Sequence, residues 1–265
     1  PLAYHKAERY AQGEKISLAY VTIPQANERY ATLGSSPYWS WGYETGINEF
    51  GVAAGNEAIY TKDLTENSEA EKSGIHIEKG ILGMELLRLG LERGRTAQEA
   101  LTVMTQLIEK YGQWGSGVPM SGIIDGSYNN SYIVADKNEA YILETAGRRW
   151  VYKKVDSGFA AISNEVSIRT DYSCMSRDLE EYAKQKGWCD KKQTFDFAES
   201  YINHNYPRQL SHIRVQRMRQ MLNRALSENG KIGNNWVKHI LRDHYEDTFL
   251  EGPFFNPSAP DFLTI

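Results

Sequence analysis

Cysteine, long apolar runs and an excess of one charge are all scarce in this chain. Only two cysteines occur in 265 residues, Cys174 and Cys189. They form no CxxC unit and no spaced framework, so a disulfide-held scaffold is not expected, although one bridge between them stays open. Both fall in or beside a helical stretch, and neither has a neighbour that marks it as a nucleophile. No HExxH and no Cys/His cluster occurs. His204 and His212 lie near each other, but two histidines alone make a poor metal site. No metal or other cofactor is expected. No apolar run approaches the roughly 20 residues that a bilayer-crossing helix needs. The net charge is −4, from 30 Lys+Arg and 34 Asp+Glu. Without a basic run, nothing points to nucleic acid.

What is present is enough for a substantial core. The apolar fraction is 41%, which suits one large domain or two small ones. There are 17 Tyr and 6 Trp, which serve packing or line a substrate cleft. The chain opens on Pro1 with "PLAYHKAERY", without a targeting segment, and stops at "DFLTI" inside an apolar, strand-like run. Both ends are therefore expected to be cut from a longer protein.

The first third reads as β. "ISLAYVTIPQ" and "RYATLGSS" are expected strands. "SWGYETGINEFGVAAGNEAIYT" reads as a hairpin turning at residues 48–51. Residues 63–74 are polar and read as a loop. Residues 76–93 are apolar on more than one face and predict a deeply buried helix ended by Gly94. In "TAQEALTVMTQLIEKYG", Thr96 and Glu99 stand at capping-box spacing, with an i, i+3, i+4 stripe behind them. Gly112 is placed to stop that helix. After the loop at 114–122, "SYIVAD", "AYILETAG", "RWVYKKV" and "GFAAISN" read as a meander of strands. Helices are expected near 174–186, 194–204, 211–227 and 234–245. Segregated runs of strands and helices argue for α+β.

Within "GVAAGNEAIYTK", residues Gly51, Ala53, Ala54 and Gly55 are nearly bare of side chain. That thinning clears a backbone surface to which another group can come close. Asn56 then reads as a turn or bulge residue, or as an oxyanion donor. Asn164, in "FAAISNEVS", repeats the theme of small residues followed by Asn-Glu. Arg214, Arg217 and Arg219 lie in "SHIRVQRMRQML", and the first two share a helical face. That face is either solvated or carries a guanidinium that positions a reacting group. In "PYWSWGYE", Trp39 and Trp41 fall on one face of an extended segment, lining a pocket or packing in the core.

Four blocks together resemble the secernin and cysteine-dipeptidase family of N-terminal-nucleophile (Ntn) hydrolases. They are "YWSWGYETGINEFGVAAGNEAIYTK", "GILGMELLRLGLERGRTAQEAL", "EAYILETAGRRWVYKKV" and "AISNEVSI". The resemblance runs across nearly the whole chain. It implies one α+β domain over residues 1–265, an αββα sandwich of two antiparallel sheets covered by helices, incomplete at both ends. It implies amide-bond cleavage, typically of dipeptides with a free amino end. The nucleophile would be an N-terminal cysteine whose own α-amine is the base, a group that titrates near about 8. Carried over, Asn56 matches the oxyanion-hole position of bile-salt-hydrolase-like relatives. Asn164 matches a second active-site asparagine, and Arg214 the active-site arginine, with Arg217 as fallback. Trp39, Trp41 and Glu57 are expected at the substrate, where Glu57 meets the dipeptide's ammonium or pairs internally.

The chain departs from the family at its first residue. Pro1 stands where the family requires Cys, and the opening strand with its Cys, Asn, Asp and Arg is absent. A fragment, inactive as it stands, is therefore expected, with a small peptide as its partner and a homo-oligomer as an open option. Location is left open, with the cytoplasm favoured, because the stretch that would carry any signal peptide is not in this sequence. Two other readings remain: an Ntn hydrolase for another amide, such as a bile-salt or penicillin-like substrate, or a non-catalytic secernin-type protein of exocytosis.

Overall fold

A computed structural model describes residues 1–190, 192–205, 211–248 and 251. The first half runs β1 (Leu2–His5), β2 (Glu8–Arg9), β3 (Lys15–Ser17), β4 (Thr22–Pro24), β5 (Glu28–Arg29), β6 (Thr32–Ser35), β7 (Thr45–Asn48), β8 (Ala53–Ile59), α1 (Lys62–Lys72), α2 (Gly83–Arg93) and α3 (Ala97–Tyr111). The second runs α4 (Ile123–Gly126), β9 (Asn129–Ala135), β10 (Ala140–Ala146), β11 (Arg149–Lys154), β12 (Cys174–Met175), α5 (Leu179–Gln185), α6 (Phe197–Tyr201), α7 (His212–Asn229) and α8 (Asn234–Ile240). Eight strands form one antiparallel sheet in the order β1-β6-β7-β8-β9-β10-β11-β12. Two small ladders, β2 with β5 and β3 with β4, stand apart.

The hairpin between β7 and β8 is set by one side chain. Asn48 Oδ1 accepts the N–H groups of Phe50 and Val52, both at 3.0 Å. Its Nδ2 donates to the carbonyls of Leu91 and Gly94 at 2.9 and 2.7 Å. All four bonding positions of a buried amide are filled, which removes the cost of burying it. The same residue ties the turn to the end of α2. Gly51 supplies the left-handed step, at φ +82°.

β8 is paired along its whole length with β9, from Ala53↔Ala135 to Ile59↔Asn129. It is paired with β7 only at Ala53, Ala54 and Gly55. Past Gly55 that edge of β8 has no strand partner, although the Asn56 N–H still bonds the Glu44 carbonyl at 3.1 Å and the Tyr60 carbonyl takes the Asn203 N–H at 3.4 Å.

Helices α2 and α3 cover one face. Leu86, Leu87, Leu89 and Leu91 of α2 and Leu101, Met104 and Ile108 of α3 pack on Ala54, Tyr132, Val134 and Leu143. α2 is buried on nearly every side, as its apolar pattern predicted, and two of its charges pair with each other. Arg88 Nε lies 2.8 Å from Glu92 Oε1, with both side chains almost fully buried. The opposite face carries a second cluster near the β10–β11 end. There Ile59, Val151 and Ile168 meet Leu179 and Ala183 of α5 and Phe197 and Tyr201 of α6. The α+β class is what the chain adopts, one large antiparallel sheet with helices on it. The second sheet of the αββα pattern is not found among the described residues.

Three sequence expectations change. Residues 63–74 are largely helix, not loop. α1 buries only Asp63 and Leu64, so it carries almost no apolar stripe to detect. Its helix formers and its ordered ends, Asp63 in the first turn and Lys72 in the last, suffice. The buried helix starts at Gly83 rather than 76. Gly80 and Ile81 instead donate to the carbonyls of Trp114 and Gly112, both at 2.8 Å, which holds them extended. Glu85 then accepts the N–H of Leu82 at 3.0 Å and starts the helix. Residues 158–164 form no strand. Their ties run through side chains instead of a ladder, the Ser163 hydroxyl to the Ser211 carbonyl at 3.3 Å and the Asn164 amide to the Ala58 carbonyl at 3.0 Å. The last four helices keep their order, with α5, α6 and α8 shorter than expected.

Candidate active site

Where β7 leaves β8, a cleft of about 830 Å³ opens. Its floor is Gly55, Asn56, Glu57 and Ala58. One wall is Gly117 to Pro119 with Trp39, and another is Ala160 to Ile162 with Asn164. Trp39, Asn56, Glu57 and Asn164, far apart in sequence, thus line one cavity. Of the four small residues before Asn56, only Gly55 borders it. Ala54 packs under α2, Gly51 makes the turn and Ala53 is exposed.

Asn164 is held at both ends of its amide. Arg214 Nη2 donates to its Oδ1 at 2.7 Å, and its Nδ2 donates to the Ala58 carbonyl at 3.0 Å. Arginine can only donate and a carbonyl can only accept, so the amide's orientation follows from its partners. The Ala58 carbonyl belongs to the open edge of β8, so Asn164 docks where β7 stops. Arg214 is the arginine that reaches Asn164. Arg217, the fallback, is turned away. Its Nε bonds Asp243 Oδ2 at 2.8 Å and its Nη2 the Glu246 carbonyl at 2.9 Å.

Glu57 stands beside this pair. Burial pushes its carboxyl up, while the Arg214 charge and the Asn164 amide pull it down, and burial prevails. Register aligns Glu57 with Ser131 on β9 and Glu144 on β10. Glu144 is fully buried and takes the Ser167 N–H at 2.8 Å, the Ser167 hydroxyl at 2.6 Å and the Ile168 N–H at 3.1 Å. A carboxylate rooted in the sheet thereby fixes the irregular segment that carries Asn164.

Asn56 leans on the other face. Its Nδ2 donates to Asn130 Oδ1 at 2.8 Å, and its N–H donates to the Glu44 carbonyl at 3.1 Å. Asn130 leads into a buried network. Its N–H bonds Thr145 Oγ1 at 2.9 Å, Thr145 bonds Gln113, and Gln113 bonds the Tyr132 hydroxyl at 3.0 Å. An amide nitrogen carries two hydrogens, so one N–H of Asn56 remains beyond its bond to Asn130.

Of Trp39 and Trp41, only Trp39 reaches this cleft. The segment turns at 38–39 and bends again at 41–42, so alternation does not put them on one face. Trp39 lines the cleft and donates to the Gly117 carbonyl at 3.3 Å. The Trp41 ring lies outside that cleft, with the Arg88 guanidinium 3.8 Å above it. Trp41 packs against the main core and, together with Trp39, lines an adjoining cavity of about 420 Å³.

The sequence reading missed Glu44, Tyr128 and Glu144. Tyr128 lines the cleft, its phenol pushed up to about 12 by burial and by the charge of Glu44. Glu44 was recoverable. A turn at 48–51 pairs Thr45 with Gly55, and one more step sets Glu44 across from Asn56. Both cysteines are free and neither lines the cleft. Among the described residues no group of three or more His, Cys, Asp or Glu is placed to hold a metal ion. No helix among them is long and apolar enough to cross a membrane.

The family model described as "Peptidase family C69" matches residues 6–254. Two curated relatives are called "Probable dipeptidase A", from Streptococcus pyogenes serotype M3 (strain SSI-1) and from serotype M1. Each is 23% identical over 92% of this chain, and the match covers 52% and 51% of their own lengths. The chain thus spans about half the length of the curated relatives it matches. Two solved structures are also similar, both of single-residue variants of the conjugated bile acid hydrolase from Clostridium perfringens. One matches at a TM-score of 0.46 and 13% identity, over 91% of this chain and 69% of that one. The other matches at 0.43 and 12%, with the same coverage. With a family model matched along nearly all of its length, this chain belongs to peptidase family C69.

Proposed function

We propose that this chain supplies the substrate-accepting side of a cysteine-type dipeptidase, an amide-bond hydrolase of the Ntn type. The observation that carries the reading is the Arg214–Asn164–Ala58 chain of hydrogen bonds beside the open edge of β8. It fixes an amide at the wall of an 830 Å³ cleft that also holds Asn56. Donors fixed before the reaction are what a developing oxyanion needs, because no reorganisation is spent when the charge appears.

In this reading Asn164 and Asn56 turn amide N–H groups toward the scissile carbonyl oxygen. Arg214 is a positioning residue that holds the Asn164 carbonyl, and so aims its NH₂. Trp39 contributes apolar wall and Glu57 polar floor. Neither Cys174 nor Cys189 borders the cleft, so the attacking thiol comes from outside this sequence. A cysteine at a processed N-terminus fits, since its α-amine is partly unprotonated near neutral pH and can take the thiol proton.

The test is turnover of a dipeptide panel by the full-length gene product and its Asn164→Ala variant. Losing one oxyanion donor should lower kcat by roughly 10²–10³-fold and move KM far less. Normal turnover by the variant would remove Asn164 from the mechanism. No turnover of any dipeptide by the parent would overturn the dipeptidase reading.

A further inference from the structure

The charges of the cleft are one-sided. Among the described residues that line it there is no Lys, Arg or His, and there are two carboxylates, Glu44 and Glu57. The two differ in what surrounds them. Glu57 also borders a second cavity of about 140 Å³ that holds Arg214. Arg214 and Asn164 both favour its charged form, though burial outweighs them, so Glu57 already has its partners inside the protein. Glu44 is exposed, and its carboxylate has no hydrogen bond or ion pair among the described residues. Yet its position is firm, because its backbone is held on both sides. Its N–H donates to Ser35 O at 2.9 Å and its carbonyl takes the Asn56 N–H at 3.1 Å.

An uncompensated carboxylate on a firmly held backbone, in a cleft with no cation among its described lining residues, attracts a cation and disfavours an acid. We infer that Glu44, rather than Glu57, is the specificity residue that receives the substrate's free α-ammonium group. Glu57 is then a positioning residue for Asn164 and Arg214. The register supports this division. Glu44 lies across the ladder from Asn56, one residue beyond the last β7–β8 pair, Thr45↔Gly55. An amino end held there leaves the first peptide carbonyl close to the open edge. The inference rests on the proposed function and assigns a residue that the reading above leaves without a role.

Binding tests it on this chain directly. Alanyl-phenylalanine and N-acetyl-alanyl-phenylalanine would be titrated calorimetrically into wild type, Glu44→Gln and Glu57→Gln. A charge-assisted contact should favour the free dipeptide by roughly tenfold or more in wild type. Glu44→Gln should abolish that preference by weakening only the free dipeptide. Glu57→Gln should keep it. A preference that survives Glu44→Gln, or that disappears in Glu57→Gln instead, overturns the inference. Equal binding of both dipeptides by wild type also overturns it, while leaving the cleft a peptide site. If neither dipeptide binds wild type, the proposed function fails and takes this assignment with it.

Discussion

Replacing Glu144 with glutamine should loosen the segment that carries Asn164 while leaving the sheet intact. The carboxylate takes donors only: Ser167 N–H at 2.8 and 3.1 Å to its two oxygens, the Ser167 hydroxyl at 2.6 Å, Ile168 N–H at 3.1 Å and the Ser131 hydroxyl at 3.4 Å. Glutamine keeps one acceptor oxygen. Its NH₂ takes the place of Oε2 and confronts the N–H groups of Ser167 and Ile168. Two charge-assisted bonds are lost and two donors are left facing a donor, offset in part because a neutral amide is cheaper to bury. A net loss of about 2–4 kcal/mol follows. For a chain of this size that lowers Tm by roughly 5–15 °C in calorimetry. Amide exchange should accelerate across 163–168 and stay slow across β8 and β9.

The effect also carries a pH signature. Burial pushes the Glu144 carboxyl up against the pull of those donors, so the folded form holds the proton more tightly than the unfolded form. Stability linked to this group is fully present below the ordinary glutamate range and is lost as pH rises through the folded value. Glutamine does not titrate, so the variant's deficit should be larger near about pH 4 than near about pH 7. A Tm within about 1 °C of wild type, with unchanged exchange at Ser167 and Ile168, would refute the clamp.

Two further perturbations have clear expectations. Asn48→Ala strips four hydrogen bonds from the hairpin and the end of α2, and should cost about 2–4 kcal/mol in urea unfolding; a loss under about 0.5 kcal/mol would sink the staple. Arg217→Met leaves the Asp243 carboxylate buried without its guanidinium, and should destabilise by about 3–5 kcal/mol. If Arg217→Met melts like wild type and instead abolishes dipeptide binding, the roles given to Arg214 and Arg217 are reversed.

The hairpin turn, the α3 cap and stripe, and the β9–β10–β11 meander were legible because short-range rules govern them. Thr96 accepts the Glu99 N–H at 3.1 Å, as the three-residue spacing suggests. Asn56, Asn164 and Arg214 were legible as candidates, and the choice between Arg214 and Arg217 was not. That choice depends on Asp243, 26 residues downstream of Arg217. Residues 76–82 misled because an apolar run reads alike as helix or as extended core. Only Gly112 and Trp114, whose carbonyls claim Ile81 and Gly80, decide it. The one-face argument for Trp39 and Trp41 misled because alternation presumes an extended chain, and residues 37–43 turn. Glu144 escaped notice because a lone acid inside a strand has meaning only once Ser167 and Ile168 fold over it.

β8 loses its partner strand halfway along, and the half beyond, only partly capped by Asn164 and Asn203, has a consequence under the proposed function. Unclaimed strand edge grips main-chain atoms, and those are the same in every peptide. A site built that way has a broad diet. What it accepts is set less by the side chains a peptide carries than by where the peptide ends.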